Sequence, residues 1–290
     1  MTPVHRAYFK ALGKLGKYRI AIPVALTALT GYVLFAREFH WEMFLPGLGV
    51  FFLALASSAL NQVQERHIDK LMPRTKSRPL PSGALSVKEA WSWIAVWSAA
   101  GVFLLWYFSG IIALFLGLLT YIWYNGIYTP LKQKTALAVV PGSVVGALPP
   151  VIGWVAAGGE MLNPTAVALF FFFFIGQVPH FWLLLLQFGK QYELTGVKSL
   201  TTHFSNKQIR RITFIWIVAT SVSAFMLPGF YRFENIWIVY TLWSLSVIMV
   251  VYFARLIMPT NEDVKFNSSF LIINLYYLLV MILLSIESLI

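Results

Sequence analysis

Long apolar runs recur along almost the whole chain and restrict what it can fold into. Apolar residues make up 59% of the 290 residues and charged residues only 11%, whereas soluble domains carry about 25% charged residues. A helix that crosses a bilayer needs about 20 predominantly apolar residues. We therefore predict an all-α, polytopic membrane protein, a single domain over residues 1–290. Its nine predicted transmembrane helices are 19–36, 41–61, 88–109, 111–128, 138–157, 164–187, 210–228, 235–257 and 269–289.

The basic residues predict the orientation of these helices. When nine spans alternate across the membrane, 20 of the 22 Lys and Arg residues fall on one side, and only Arg37 and Arg232 fall on the other. Lys and Arg accumulate on the cytoplasmic side, so we predict a plasma (inner) membrane protein with its N-terminus inside and its C-terminus outside. The basic segment 1–18 precedes an apolar run without a small-residue cleavage site, which indicates a first span rather than a signal peptide.

The net charge of +11 does not call for a nucleic-acid partner. The charges lie in short connections between apolar runs, where topology and anionic lipid headgroups explain them. The chain contains no cysteine, which excludes disulfides, thiolate metal sites and cysteine nucleophiles. Two inner connections are long and polar, residues 62–87 and 188–209, and function concentrates in such loops when a rigid scaffold holds them.

The first polar loop carries a spaced set of oxygen-bearing side chains. Asn61, Glu65 and Asp69 lie at i, i+4 and i+8, so they share one face if the second span continues as a helix into the loop. Carboxylate and amide oxygens suit Mg²⁺, which is often shared with substrate phosphates. Arg74 and Arg78 follow, and guanidinium groups bind phosphate oxygens well. The loop therefore predicts a magnesium and diphosphate site.

An ordinary solvated helix end is the alternative interpretation of the same residues. In that case Glu65 and Asp69 pair with nearby basic residues, namely Arg66, Lys70 or Arg74. The spacing alone does not separate the two interpretations, because both need only a helix that extends beyond the membrane. The remaining motifs of the chain bear on the choice.

The motif N-x-x-x-E-x-x-x-D-x-x-M-x-R-T-x-x-R-P at residues 61–79 resembles the first motif of the UbiA superfamily of intramembrane prenyltransferases. Its second half, from Met72 to Pro79, resembles the protoheme IX farnesyltransferase (haem O synthase) family in particular. Three further segments resemble that family, at residues 128–135, 146–154 and 177–182. The resemblance covers roughly residues 55–205 in order, and the nine-span topology agrees with the superfamily.

The resemblance implies Mg²⁺-dependent transfer of a farnesyl group from farnesyl diphosphate to a vinyl group of haem B, giving haem O. A haem A synthase or an oxidase-assembly protein is the partner it suggests. The implied catalytic and metal-binding residues are Asn61, Glu65 and Asp69. The implied diphosphate contacts are Arg74, Arg78, Lys132 and Lys134. The implied acceptor-binding residues are Tyr124, Tyr128, Gln177 and His180.

Several of these residues also have a plain structural interpretation. Lys132 and Lys134 follow the fourth span, where the topology alone expects basic residues, and aromatic residues such as Tyr124 and Tyr128 are common at membrane interfaces. His180 is the only histidine within a predicted span. Polar groups at that depth usually face a cavity, although hydrogen bonds to neighbouring helices would also explain it.

The second polar loop departs from the family pattern. The family has acidic residues before a tyrosine about ten positions beyond the histidine, but residues 189–193 read Gly-Lys-Gln-Tyr-Glu. No acid precedes Tyr192, and Glu193 lies one position late; Glu65 also stands where aspartate is usual. Either a second magnesium site is lost, or Glu193 provides its ligand.

Two other classes of function remain open from the sequence. A related prenyltransferase could use an aromatic or quinone-precursor acceptor. A non-catalytic porphyrin-binding or transport protein would account for the altered second motif. A channel is disfavoured, because the predicted spans contain almost no charged residues and transport pathways are usually lined by them.

Overall fold

Helices form nearly all of the described chain. The structure is a computed structural model that describes residues 2–193, 204–258 and 266–290. The α-helices are α1 Pro3–Leu15, α2 Tyr18–Ala36, α3 Phe44–Leu71, α4 Val87–Ile122, α5 Thr129–Lys134, α6 Val139–Gly142, α7 Val144–Ala156, α8 Pro164–Glu193, α9 Asn206–Met226, α10 Ile236–Phe253 and α11 Phe266–Leu289. A π-helical turn, Trp123–Tyr128, joins α4 to α5.

Eight helical segments of the described chain are long and apolar enough to cross a membrane. Large apolar side chains point outward from them, for example Trp106, Ile111 and Val251, which are 59%, 69% and 68% exposed. Such a surface is stable in lipid but not in water. The eight segments are Tyr18–Ala36, Trp41–Leu71, Val87–Lys134, Val139–Ala156, Pro164–Leu184, Asn206–Gly229, Ile236–Leu256 and Ser268–Leu289.

The third of these segments contains two crossings rather than one. It has 48 residues, about 72 Å at 1.5 Å per residue, more than twice the hydrocarbon thickness. Gly110 interrupts it with φ 80° and ψ 172°, a conformation open almost only to glycine. A Cβ atom on Gly117 would lie 2.6 Å from Leu105 Cδ1, although a straight helix would separate these residues by about 18 Å. The chain therefore reverses at Gly110, so the eight segments of the described residues contain nine crossings, the predicted number.

The ends of the polar loops differ from the predicted bounds. Helix α3 continues to Leu71, because residues 60–71 contain neither glycine nor proline and are mostly good helix formers. The loop predicted from residue 62 therefore begins only after Leu71. The second loop is also shorter than predicted, since α8 extends to Glu193 and α9 begins at Asn206. Residues 194–203, with Lys198, and residue Lys265 lie outside the described residues.

Small residues allow α2 and α7 to cross at close range. A Cβ atom on Gly153 would lie 1.7 Å from the carbonyl oxygen of Ala28, and one on Gly31 would lie 1.8 Å from that of Pro150. Membrane helices associate mainly through such backbone approach, because lipid removes most of the hydrophobic driving force between helices. This crossing holds the first span against the centre of the bundle.

The two ends of the bundle differ in charge. Arg37 and Arg232 meet at one end, where Arg37 donates to the Arg232 carbonyl oxygen at 3.1 Å. Both also approach Glu234, at 3.8 and 3.1 Å. These are the two basic residues that the alternation of charge separates from the other 20. Helix α1 packs at the opposite end, where Leu15 is fully buried, and the polar residues of α3 lie there as well.

Candidate active site

The last three turns of α3 carry the three predicted oxygen donors on one buried face. Asn61, Glu65 and Asp69 are 1%, 8% and 3% exposed. Residues four apart on a helix lie one above the other, so the extension of α3 beyond the membrane aligns them. A buried carboxylate is costly unless a cation or hydrogen-bond donors compensate it. Each carboxylate therefore needs a partner from another segment.

Two of the four predicted diphosphate-binding residues supply those partners. Lys132 Nζ lies 2.8 Å from Glu65 Oε2, and Arg78 Nη1 lies 2.7 Å from both carboxylate oxygens of Asp69. We call Asn61, Glu65 and Asp69, with the cations that contact them, the cluster. Lys132 reaches it from α5, because the reversal of α4 at Gly110 brings the chain back to the same end of the bundle. The structure thus brings together the predicted acidic and basic residues from two distant segments.

The loop after α3 folds back so that Arg78 reaches Asp69. Thr75, which is buried, donates from Oγ1 to the Asp69 carbonyl oxygen at 3.0 Å. This contact fixes the first turn of the loop. Arg74 and Lys134, the other two predicted diphosphate contacts, are exposed on the same two segments that carry Arg78 and Lys132.

Lys17 joins the cluster, although the sequence indicates only that it lies on the basic side of the membrane. Its Nζ donates to Asn61 Oδ1 at 3.0 Å. The amide nitrogen of Asn61 donates to Glu65 Oε2 at 3.0 Å and to Thr129 Oγ1 at 3.2 Å. Asn61 therefore links a cation, a carboxylate and a hydroxyl from three segments: the junction of α1 and α2, α3 itself, and α5. No sequence pattern marks Lys17, because its approach depends on how α1 and α2 meet.

Burial lowers the pKa of Lys17 to about 7, and the nearby cations Arg78 and Lys132 add to this effect. The carboxylates Glu65 and Asp69 act in the opposite sense but less strongly. A lysine whose pKa is lowered by burial and by neighbouring cations gains strongly from an added anion. The electrostatics at Lys17 therefore favour binding of a negatively charged group.

The π-helical turn presents a second polar residue that is not among the predicted site residues. Asn125 is buried and donates from Nδ2 to Ser57 Oγ at 2.7 Å. Its carbonyl oxygen accepts from Gln64 Nε2 at 3.0 Å. π-helical turns are rare and frequently occur at functional sites. This turn ties the end of the fourth span to α3 directly beside the acidic residues.

The two tyrosines predicted to bind the acceptor lie next to Lys132, at the edge of the cluster. Tyr124 and Tyr128 have ring centroids 5.5 Å apart. Lys132 Nζ lies 5.4 Å from the centroid of Tyr128, within the range of a cation–π contact. Tyr128 also lies 6.0 Å from the ring of Phe181 on α8. An aromatic path therefore leads from the cluster towards α8.

The remaining predicted acceptor-side residues lie along that path on α8. The ring of His180 is 5.7 Å from that of Phe181 and 4.6 Å from that of Phe270. His180 Nδ1 is buried and has no hydrogen-bond partner among the described residues. Gln177 packs against Gly146, where a Cβ atom would lie 2.6 Å from its Cδ. A buried ring nitrogen without a hydrogen-bond partner is uncommon in folded proteins.

The donor set suits magnesium rather than a softer metal. Asn61, Glu65 and Asp69 provide oxygen only, and Mg²⁺ usually takes one or two carboxylates and completes its shell with water and phosphate oxygens. Among the described residues there is no group of three or more His, Cys, Asp or Glu side chains that could hold a metal. Glu193 is the last residue of α8, and its side chain lies outside what the structure describes.

Together, the fold and the site define a class of protein. It is an integral membrane protein whose helical bundle gathers buried oxygen donors and cations at one end, beside a series of aromatic rings that extends to α8 and α11. The chain belongs to the UbiA prenyltransferase family, whose model matches residues 24–277. It is therefore a prenyltransferase, and the family predicted from residues 61–79 is confirmed.

Individual relatives support the narrower resemblance. The chain is 34% identical to the protoheme IX farnesyltransferase of Oleidesulfovibrio alaskensis, over 76% of this chain and 78% of the relative. It is 37% identical to that of Geobacter sulfurreducens, over 73% and 78%. The fold is shared with a UbiA homolog from Archaeoglobus fulgidus solved with GPP and Mg²⁺, with a TM-score of 0.71 at 15% identity over 96% of this chain and 99% of that one.

Proposed function

We propose that this chain transfers a farnesyl group from farnesyl diphosphate to a vinyl group of haem B, giving haem O. The observation that carries the proposal is the buried cluster in which Glu65 and Asp69 meet Lys132 and Arg78. The names of the relatives, at 34% and 37% identity over most of the chain, support this donor and acceptor. The solved homolog with GPP and Mg²⁺ supports a prenyl diphosphate as the substrate class.

We propose that Asn61, Glu65 and Asp69 hold Mg²⁺, with Glu193 as a further candidate ligand. Bound Mg²⁺ would supply positive charge to the diphosphate oxygens. The side chains of Asn61 and Glu65 are already in contact, since Asn61 Nδ2 lies 3.0 Å from Glu65 Oε2, and Asp69 lies one turn further along the same face of α3. Their current partners are ammonium and guanidinium groups, which a diphosphate can attract away.

Arg78 and Lys132 would exchange their carboxylate partners for phosphate oxygens as the diphosphate enters. Both side chains are partly exposed, at 22% and 26%, so an entering ligand can reach them. Arg74 and Lys134 would close over the diphosphate from the solvent side. Interactions that strengthen as negative charge develops on the leaving group lower the barrier to its departure.

The chemistry would then consist of ionisation of the allylic diphosphate, carbon–carbon bond formation and addition of water. The allylic C–O bond breaks, and the diphosphate leaves with the electron pair. The terminal vinyl carbon of haem B attacks the allylic carbon, and water adds to the resulting cation with loss of a proton, which leaves a hydroxyethylfarnesyl side chain. Tyr124, Tyr128, Gln177 and His180 would orient the porphyrin. The apolar bundle would keep other water away from the allylic cation.

The charge distribution supports a cytoplasmic position for this site. Of the 22 Lys and Arg residues, 20 fall on its side of the membrane, so we propose a plasma-membrane protein with its N-terminus inside and its C-terminus outside. The product keeps a long apolar tail and stays in the bilayer. We propose that a haem A synthase or an oxidase-assembly protein receives it there by lateral diffusion.

The test is conversion of haem B by the purified chain. Protein in detergent is incubated with haem B, farnesyl diphosphate and Mg²⁺, and the extracted pigment is analysed by mass spectrometry. We expect the mass of haem B plus a farnesyl group and a hydroxyl group. Unchanged haem B beside an active control enzyme would contradict the proposal. If the chain instead prenylates an added aromatic compound or quinone precursor, haem B is not the acceptor, but the protein is still a prenyltransferase.

A further inference from the structure

The junction between α1 and α2 holds a basic residue in an unusual backbone conformation. Lys17 has φ 50° and ψ 51°, in the left-handed region, where non-glycine residues are uncommon and strained. Such strain persists only when the surroundings impose it. Here Gln62, which is fully buried on α3, donates from Nε2 to the carbonyl oxygens of Lys14 and Leu15 at 2.9 and 2.8 Å. The junction is therefore tied to the residue beside Asn61.

Side-chain packing of α1 reinforces this position. Leu12 and Leu15 are 5% and 0% exposed in a core that includes residues of α3 and α4. Trp93 Nε1 on α4 also donates to Tyr8 Oη at 3.1 Å. The helix is thus docked on the bundle rather than attached only through its connection to α2. As a result, the backbone of Lys17 is fixed at the edge of the cluster.

The side chain of Lys17 is a cation without a carboxylate partner. Glu65 and Asp69 are already paired with Lys132 and Arg78. Among the ion pairs of the described residues none includes Lys17; its Nζ donates only to the neutral amide oxygen of Asn61. When Lys17 is protonated, three cations share the cluster with two carboxylates. A partly buried ammonium group without a carboxylate partner is stabilised by an added anion.

We propose that Lys17 binds the diphosphate directly, and that α1 serves to deliver it to the site. The inference rests on the proposed function and adds a residue to it. Lys17 Nζ is 3.0 Å from Asn61 Oδ1. A phosphate group that binds the same metal ion as Asn61 would therefore also be within reach of this ammonium group. Lysine also has a flexible stem that lets its charge follow a phosphate oxygen.

Lys17→Gly is the informative variant. Glycine adopts a φ of +50° without strain, so the variant should unfold at the same temperature as the parent chain or a higher one. Inorganic pyrophosphate with Mg²⁺ should raise the unfolding temperature of the parent chain in detergent. In Lys17→Gly this increase should be mostly lost, and the KM for farnesyl diphosphate should rise roughly tenfold or more, while the KM for haem B changes little.

Three further variants separate charge from structure. Lys17→Gln keeps a donor near Asn61 without the charge and should behave like Lys17→Gly, whereas Lys17→Arg should retain most of the pyrophosphate effect. Lys14→Met is the matched control, because Lys14 is an exposed basic side chain of α1, three positions before Lys17, and its hydrogen bond to Gln62 uses only its backbone. It should respond to pyrophosphate as the parent chain does.

Two outcomes would overturn the inference. If Lys17→Gly and Lys17→Gln keep the full pyrophosphate response and the parent KM, Lys17 has only a structural role, and the proposed function stands without it. If the parent chain itself shows neither a pyrophosphate response nor turnover, the proposed function fails and the assignment of Lys17 fails with it.

Discussion

At the scale of single residues, Glu65 and Asp69 are compensated by cations from other segments and not by basic neighbours on their own helix. The spacing of α3 predicts correctly that they share a face, because helical periodicity is local. The partner of Glu65 is distant in sequence, since Lys132 is 67 positions away, whereas Arg78 follows Asp69 by nine positions and reaches it because the loop folds back. The interpretation of a solvated helix end with local ion pairs is therefore wrong, since both carboxylates are buried against Lys132 and Arg78.

The Glu65–Lys132 pair predicts a specific pattern of stability. Lys132→Met should destabilise the chain by about 1–3 kcal/mol, because the buried carboxylate of Glu65 then lacks its ammonium partner. The double variant Glu65→Gln with Lys132→Met should recover most of that loss, since the amide needs no counter-ion. Thermal unfolding in detergent measures both. Lys134→Met, at an exposed neighbouring position, is the control and should change stability little. If Lys132→Met and the double variant lose the same stability, Glu65 and Lys132 are not energetically coupled.

At the scale of helices, local signals predict some features and not others. The extension of α3 to Leu71 follows from a run of helix formers, and the reversal at Gly110 follows from the Ser-Gly pair that separates two apolar runs. The π-helical turn has no local signal. Trp123 Nε1 donates to the Pro141 carbonyl oxygen at 2.7 Å, and Gln64 binds the Asn125 carbonyl oxygen. Such contacts exist only in the assembled bundle, and the docking of Lys17 beside Asn61 was missed for the same reason.

The crossing of α2 and α7 predicts a strong effect of one methyl group. Gly153→Ala places a Cβ atom 1.7 Å from the Ala28 carbonyl oxygen, so the two helices must separate. We expect a loss of about 1–3 kcal/mol or more, typical of overpacking, and a lower unfolding temperature in detergent. Gly229→Ala is the control, because a Cβ atom there meets nothing within 4 Å. If Gly153→Ala and Gly229→Ala unfold at the same temperature, the close approach of α2 and α7 does not contribute to stability as proposed.

At the scale of the whole molecule, charge bias and packing give the same division between two ends. The alternation of basic residues predicts that Arg37 and Arg232 lie apart from the other 20, and the structure places these two together beside Glu234. Topology is predictable from sequence because each span must be apolar and each connection must face water. The path from the cluster to His180 is not predictable in this way, because it depends on how α5, α8 and α11 pack.

The orientation can be measured directly, because the chain has no native cysteine. Lys76→Cys lies at the end of the bundle that carries the cluster, and Leu162→Cys, where Leu162 is 77% exposed, lies in the connection between α7 and α8. In intact cells a membrane-impermeant maleimide should label Leu162→Cys alone. Lys76→Cys should react only after permeabilisation. The reverse pattern would place the site outside and would contradict the proposed topology.

The most direct test of whether the buried oxygen donors of α3 act on the diphosphate compares two proteins, the parent chain and Asp69→Asn. The quantity compared is the rate of product formation with and without Mg²⁺. Both proteins, with Glu160→Gln as an exposed control, are incubated with farnesyl diphosphate and haem B, with and without Mg²⁺, and the farnesylated product is quantified by mass. The parent chain and the control should form product only with Mg²⁺. Asp69→Asn should remain folded in the membrane but be slower by about a hundredfold or more. A parent-like rate in Asp69→Asn, or an undiminished rate without Mg²⁺, would contradict this role for α3.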